Sequence, residues 1–281
     1  MKVEKAIKAT FNTNLIILNG FLVALLVGTI LLMLPVSSAS GNGTDFITAL
    51  FTATTSLCVT GLVVVPTYAY WSIFGKVIIL ILIQLGGLGI ISFTIGFLII
   101  IGKKISLKER KMIQESYNLD SAQGVLKILR KIFGITLKIE GIGAILYSIQ
   151  FIPEYGIVKG ICYSVFHSVS AFCNAGIDII GNDSLVKYHG NVLVNFTTVM
   201  LIICGGIGFI VWLDIGGIIS EIRNKKLSPN KFIERMKLHT KLVLITTAIL
   251  VGGGFLFILL FEYNNPDTLG NMTFGNKCLA A

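Results

Sequence analysis

Phe51-Thr52-Ala53-Thr54-Thr55-Ser56-Leu57-Cys58-Val59-Thr60-Gly61-Leu62 is followed, 115 residues later, by Phe166-His167-Ser168-Val169-Ser170-Ala171-Phe172-Cys173-Asn174-Ala175-Gly176-Ile177. Phe, Cys and Gly coincide at that offset, and Thr55 aligns with Ser170. Further on, Gly86-Gly87-Leu88-Gly89 returns as Gly205-Gly206-Ile207-Gly208, at an offset of 119. The same order of segments surrounds each copy: a long apolar run, a short mixed segment, a small-residue loop ending in glycine, and a second long apolar run carrying the GGxG cluster. The long runs cover residues 15–34, 73–101, 132–151, 192–212 and 242–261. A spanning helix needs about 20 mostly apolar residues. The short segments, residues 46–56 and 160–171, fall well below that length. They read as re-entrant helices, which are tolerated at membrane depth only where protein buries them or they line a wet cavity.

Composition agrees. The 281 residues are 54% hydrophobic and only 13% charged, with a net charge of +9; mean hydropathy is +0.85. A soluble domain carries about a quarter charged residues, so an ordinary soluble enzyme is excluded. The positive charge lies between apolar runs and not on one folded face, which argues against nucleic-acid binding. Cys58, Cys162, Cys173, Cys204 and Cys278 form no CxxC pair, so neither a disulfide framework nor a zinc site is indicated. Lys2, Lys5 and Lys8 before the first run resemble a signal peptide's start, but that run exceeds the usual apolar core of about 7–15 residues. It reads as a retained spanning helix.

Most of the 23 Lys and Arg residues fall at the N-terminus and in two segments, 102–131 and 214–241. Basic loops stay inside, which places all three in the cytoplasm. The expected organisation is a cytoplasmic N-terminus (1–13), a first helix–pore-loop–helix repeat (14–101), a basic linker (102–131), a second repeat (132–213), a second linker (214–241) and a third repeat begun (242–281). Both complete repeats start and end inside. They are therefore parallel, related by an axis along the membrane normal, which suits a pore between them. The fold expected is an all-α polytopic membrane protein.

A pore selecting a dehydrated cation replaces its water shell with backbone carbonyls. Glycine supplies the dihedrals that turn carbonyls inward. Cys58-Val59-Thr60-Gly61 and Cys173-Asn174-Ala175-Gly176 hold that place, each after a short helix, and neither contains a charged side chain. The negative end of each helix dipole faces the cavity. Gly61 and Gly176 are expected to face one another across the pore axis. Ordinary loop glycines are the alternative, and two copies in register weigh against it.

These two loops, with Gln84-Leu85-Gly86-Gly87-Leu88-Gly89 and the continuation to Asp178, resemble the Trk/Ktr/HKT superfamily of cation transporters, and within it the bacterial Ktr membrane subunits. The resemblance covers the whole chain. It implies K+ uptake, often Na+-stimulated, in a bacterial plasma membrane through four helix–pore-loop–helix repeats. No bound cofactor is implied, only K+ as cargo. It further implies a homodimer seated on a cytosolic, RCK-type nucleotide-binding ring. Gly61 and Gly176 match the family's filter glycines. The family has four repeats; this sequence has two and the start of a third, residues 277–281 reading as the start of a third pore helix, so an N-terminal fragment is expected.

The remaining candidates are single residues. Glu140 is an ionisable group at or near membrane depth, where a partner is expected; an interfacial Glu beside Lys138 is the plainer reading. Asp178 and Asp183 follow the second loop and would concentrate cations at an outer mouth, or are solvated loop acids. The glycines Gly86, Gly87, Gly89, Gly205, Gly206 and Gly208 suit close helix packing, since a dinucleotide loop needs a βαβ context. His167, His189 and His239 are scattered. The rival classes are another secondary transporter, which would show inverted repeats, a membrane enzyme, which would cluster acids and histidines, and a scaffold protein, which has no reason to repeat the loops.

Overall fold

The computed structural model describes residues 2–89, 125–181, 184–225 and 228–281. The first repeat consists of α1 (Lys2–Met33), the short α2 (Phe46–Leu57), a turn α3 (Thr67–Tyr70) and α4 (Ile73–Leu88). The second consists of α5 (Val125–Tyr155), α6 (Ile157–Phe172), α7 (Val192–Gly206) and α8 (Phe209–Arg223). A turn α9 (Phe232–Arg235) leads to α10 (Leu238–Glu262) and α11 (Phe274–Ala280). Among the described residues α5 and α10 are long and apolar enough to cross a membrane, and α7 with α8 counts as a third span if the bent pair is one.

The helices begin where caps dictate. The Asp45 carboxylate accepts from the Thr48 N–H at 3.0 Å, Ser72 Oγ from Gly75 N–H at 3.2 Å and Asn191 Oδ1 from Val194 N–H at 3.1 Å; each satisfies a donor the first turn leaves open. Ser72 and Asn191 stand 119 residues apart, so the second helices of both repeats start alike. Polar side chains inside the short helices bond back to their own backbone, as Ser56 Oγ does to Thr52 O at 2.6 Å and Ser164 Oγ to Gly160 O at 2.7 Å. That satisfies them without a partner helix.

Packing repeats as well. A Cβ on Gly28 of α1 would lie 2.9 Å from Leu82 of α4, and one on Gly143 of α5 would lie 2.7 Å from Leu201 of α7. The glycines are 115 residues apart and the leucines 119, so one helix crossing is used twice. Ala49, Ala53 and Leu57 of α2, Ile79 and Ile83 of α4, and Tyr147, Phe151, Phe166 and Phe172 of the second repeat share one buried cluster. The core thus lies around the two short helices.

Three boundaries differ from the sequence reading. Residues 192–212 are not one helix: α7 and α8 meet at a bend of 96°, where Gly208 takes φ 83°. The break frees carbonyls, and the Trp212 indole N–H donates to Cys204 O at 2.9 Å. In the first repeat α4 stops at Leu88 and Gly89 takes φ 77°; residues 90–101 of the expected run lie outside the described residues. Helix α5 starts at Val125, so the end of the segment read as linker is helical; its residues 102–124 are also outside. The third segment is loosely attached, Thr240 alone being buried in α10. Asp214 Oδ2 of α8 accepts from the Lys237 N–H at 3.0 Å and from Thr240 Oγ at 2.6 Å. Residues 274–280 form α11, with Lys277 buried and its ammonium donating to Tyr263 O at 2.6 Å.

Candidate functional site

Helices α2 and α6 end in the same backbone. Cys58 (φ −84°, ψ 0°) and Cys173 (φ −74°, ψ −4°) continue the helical turn. Val59 and Asn174 flip to φ 53° and 59°, and Gly61 and Gly176 to 82° and 69°. Three successive N–H groups then fold back onto the helix. Cys58, Val59 and Thr60 donate to Thr54, Ser56 and Thr55 carbonyls at 2.8, 3.3 and 2.9 Å; Cys173, Asn174 and Ala175 donate to Val169, Ala171 and Ser170 carbonyls at 2.9, 3.0 and 2.8 Å. These are helix ends of the Schellman type, with Val59 and Asn174 in the positive-φ position and the glycine two residues further on. With their N–H groups turned inward, both loops keep their carbonyls free. Among the described residues no donor is bound to a carbonyl of Cys58–Gly61 or of Cys173–Gly176.

The two loops touch. A Cβ on Gly61 would lie 2.3 Å from Ala175 O and 3.7 Å from Gly176 Cα. They are lateral neighbours in contact, and do not face each other across an open axis as the sequence suggested. A cleft of about 270 Å³ is lined by Gly61, Val63, Thr67, Gly176 and Asp178 among others. Asp178 thus shares this cleft with both loop glycines, and one of its carboxylate oxygens accepts from the Ile180 N–H at 3.3 Å. Asp183 lies outside the described residues.

The GGxG clusters divide by role. A Cβ on Gly86 would lie 2.1 Å from Leu57 O, and one on Gly205 1.7 Å from Phe172 O. Leu57 and Phe172 are the last residues of the short helices, so these two glycines bring the second helix of each repeat against the helix end that carries the loop. Gly87 lies against Cys173 Sγ (2.4 Å from an added Cβ) and Gly206 beside Asn174. An added Cβ on Gly89 or Gly208 would meet nothing within 4 Å among the described residues; both take positive φ where a helix ends or breaks.

Glu140 is 6% exposed and its partner is Gln84 of the other repeat, whose amide N–H groups reach the two carboxylate oxygens at 3.0 and 3.3 Å. In sequence Lys138 is the ionisable neighbour of Glu140, and Gln84 stands out only as part of a glycine motif. Two further residues that sequence reasoning missed are Gly28 and Gly143, whose shared spacing of 115 was available as a signal. Between α6 and α7 the Lys187 ammonium donates to Glu154 of α5 at 2.7 Å and to Tyr155 Oη, and Tyr188 Oη donates to Glu154 at 2.7 Å. Burial pulls the Lys187 ammonium down, but its bonds to Glu154 and Tyr155 outweigh that and hold it above the ordinary lysine value. Among the described residues no three His, Cys, Asp or Glu side chains gather as a metal site.

Comparison with known proteins bears on the whole chain. The potassium/sodium uptake protein NtpJ of Enterococcus hirae is 42% identical over 261 residues, 93% of this chain and 55% of that protein. The Ktr system potassium uptake protein B of Bacillus subtilis is 38% identical over 279 residues, 99% of this chain and 59% of that one. Its namesake in Vibrio alginolyticus is 38% identical over 267 residues, 95% and 56%. The chain thus spans between 55% and 59% of the length of these relatives. The family described as TrkH, cation transport protein, matches residues 2–271. A multi-pass helical chain matched across nearly its whole length in this way belongs to the TrkH family of cation transport proteins.

Proposed function

We propose that this chain takes part in K+ uptake and supplies two of the four pore loops that select the ion. One observation carries the reading: two loops at 115-residue spacing hold the same backbone, with N–H groups tied back and carbonyls unbound. A carbonyl ring can replace a hydration shell, and the C-terminal dipole ends of α2 and α6 favour a cation there. The residues assigned to the filter are Cys58, Val59, Thr60 and Gly61 with Cys173, Asn174, Ala175 and Gly176; Asp178 concentrates cations at the outer mouth. Ion coordination by these loops is inferred from the free carbonyls and from the names of the relatives.

By the same resemblance the chain works as a homodimer with an RCK-type nucleotide-binding subunit docked on its cytoplasmic side, with Na+ as a stimulating ion. Its N-terminus is cytoplasmic, since the basic segments lie on that side. The first repeat ends and the second begins there.

The test is a graft. Residues 1–271 replace the matching segment of the Enterococcus hirae protein, and Rb+ uptake is measured in K+-loaded liposomes. Selective uptake by the graft supports the reading; a graft that inserts and assembles yet passes Na+ as readily as Rb+ refutes it. The 281 residues by themselves hold two loops and leave half a ring open, where each unsatisfied buried polar group costs several kcal/mol. Selective Rb+ uptake by these residues alone would show that two loops per chain suffice.

A further inference from the structure

We propose that Glu140 is a positioning residue for the second loop: through Gln84 it fixes the direction of the Cys173 thiol and with it the height of Cys173–Gly176. The proposal rests on the reading of these loops as a K+ filter.

The chain of bonds has one polarity. An ionised carboxylate only accepts hydrogen bonds, so Gln84 turns its NH2 toward Glu140, at 3.0 and 3.3 Å. Its carbonyl oxygen then faces away, and there the Cys173 S–H donates to it at 3.7 Å. The same turn of α5 is pinned to α6 by Ser168 Oγ, which donates to the Glu140 carbonyl at 2.6 Å. Gly87 clears the space: any side chain there would begin 2.4 Å from Cys173 Sγ. A cleft of about 400 Å³ lies alongside, lined by Leu80, Ile81, Leu137, Ala144, Val165 and Val169 with Gln84 and Glu140. Those apolar walls offer no substitute donor or acceptor, so a broken link leaves a polar group stranded. Among the described residues the device serves one seam. At the corresponding places, 115 residues before Glu140 and 119 after Gln84, stand Leu25 and Ile203. Cys58, the counterpart of Cys173, is exposed.

The positioning role is read by infrared spectroscopy and by transport. In the 281-residue chain in lipid bilayers, the S–H stretching band of Cys173 is assigned by difference from Cys173→Ser. It moves to higher frequency in Gln84→Leu and Glu140→Leu and stays in place in Glu140→Gln, whose side-chain oxygen still accepts. In the graft, the Na+ concentration that halves Rb+ uptake falls about tenfold in Glu140→Leu and Gln84→Leu, the scale of one hydrogen bond between spanning helices, and is restored in Glu140→Gln. Should the leucine variants fail to insert, Gln84→Met and Cys173→Ala carry the same measurement. An unmoved band in Gln84→Leu, or a Glu140→Gln graft as unselective as Glu140→Leu, overturns the proposal. If Na+ competition is unchanged in all of these while Gly61→Ser abolishes selectivity, the relay fails and the filter stands. If Gly61→Ser also changes nothing, the filter reading fails instead.

Discussion

The two loops share a backbone and differ in what holds it. In the second repeat Ser170 Oγ donates to Ile177 O at 2.6 Å, tying α6 to the far side of its glycine. In the first, the equivalent Thr55 hydroxyl is buried and has no hydrogen-bond partner among the described residues. Asn174 occupies the positive-φ position in one loop and Val59 in the other. Asn adopts that conformation at small cost, whereas a β-branched residue there is a steric outlier. Cys173 is buried against Gln84 and Cys58 is exposed. The dihedrals are common to both because the helix end and the glycine impose them. The side chains around them differ because each loop meets different neighbours, and the second is the more firmly anchored.

The largest effect should come from Gly61→Ala set against Gly176→Ala. Both glycines have positive φ, but an added Cβ at Gly61 would strike Ala175 O at 2.3 Å, while at Gly176 none of the described residues lies within 4 Å. Gly61→Ala should displace both loops and lose Rb+ selectivity, and Gly176→Ala should bear only backbone strain of about 1–2 kcal/mol. Equal losses would mean that the loops are not in contact.

The exchange of loop residues comes next. Val59→Asn should raise the thermal midpoint of the detergent-solubilised chain, relieving about 1–3 kcal/mol of strain, and Asn174→Val should lower it. The same sign for both would show that the two positions are not equivalent.

A smaller effect separates Ser170→Ala from Thr55→Val. The first leaves the Ile177 carbonyl without its donor and should cost about 1 kcal/mol; the second removes an unpaired hydroxyl and should be neutral or stabilising. Thermal midpoints of the two variants decide this.

The smallest concerns the pair of Lys187 and Glu154. Lys187 and Glu154 remain partly exposed, and exposed ion pairs contribute about 0–1 kcal/mol. Because the Lys187 ammonium is held above the ordinary value of 10.5, its contribution is present below that pH. It fades as pH rises through the higher folded value. Lys187→Met should therefore be slightly less stable than the parent at neutral and mildly alkaline pH, and the gap should close at strongly alkaline pH. A variant that differs from the parent more at strongly alkaline pH would reverse the sign.

What the sequence disclosed was whatever repeats. The 115-residue echo located both short helices and both loop glycines, because those positions depend on local backbone that a linear pattern records. The span at residues 192–212 was misread because a glycine inside an apolar run does not announce a 96° bend; the positive φ of Gly208 is a three-dimensional choice. The Gln84–Glu140 pair was equally hidden, joining residues 56 apart in chain across a seam between repeats. The lateral contact of Gly61 with Ala175 needed the same knowledge, since parallel repeats fix an axis but not which copies adjoin.

The central claim, that loop carbonyls at Gly61 and Gly176 choose the ion, is tested most directly by Na+ competition against Rb+ uptake in the graft with and without Gly61→Ser. The account predicts Rb+ uptake that resists excess Na+ in the parent graft and is readily suppressed by it in the variant. An equally Na+-resistant Gly61→Ser graft would contradict it.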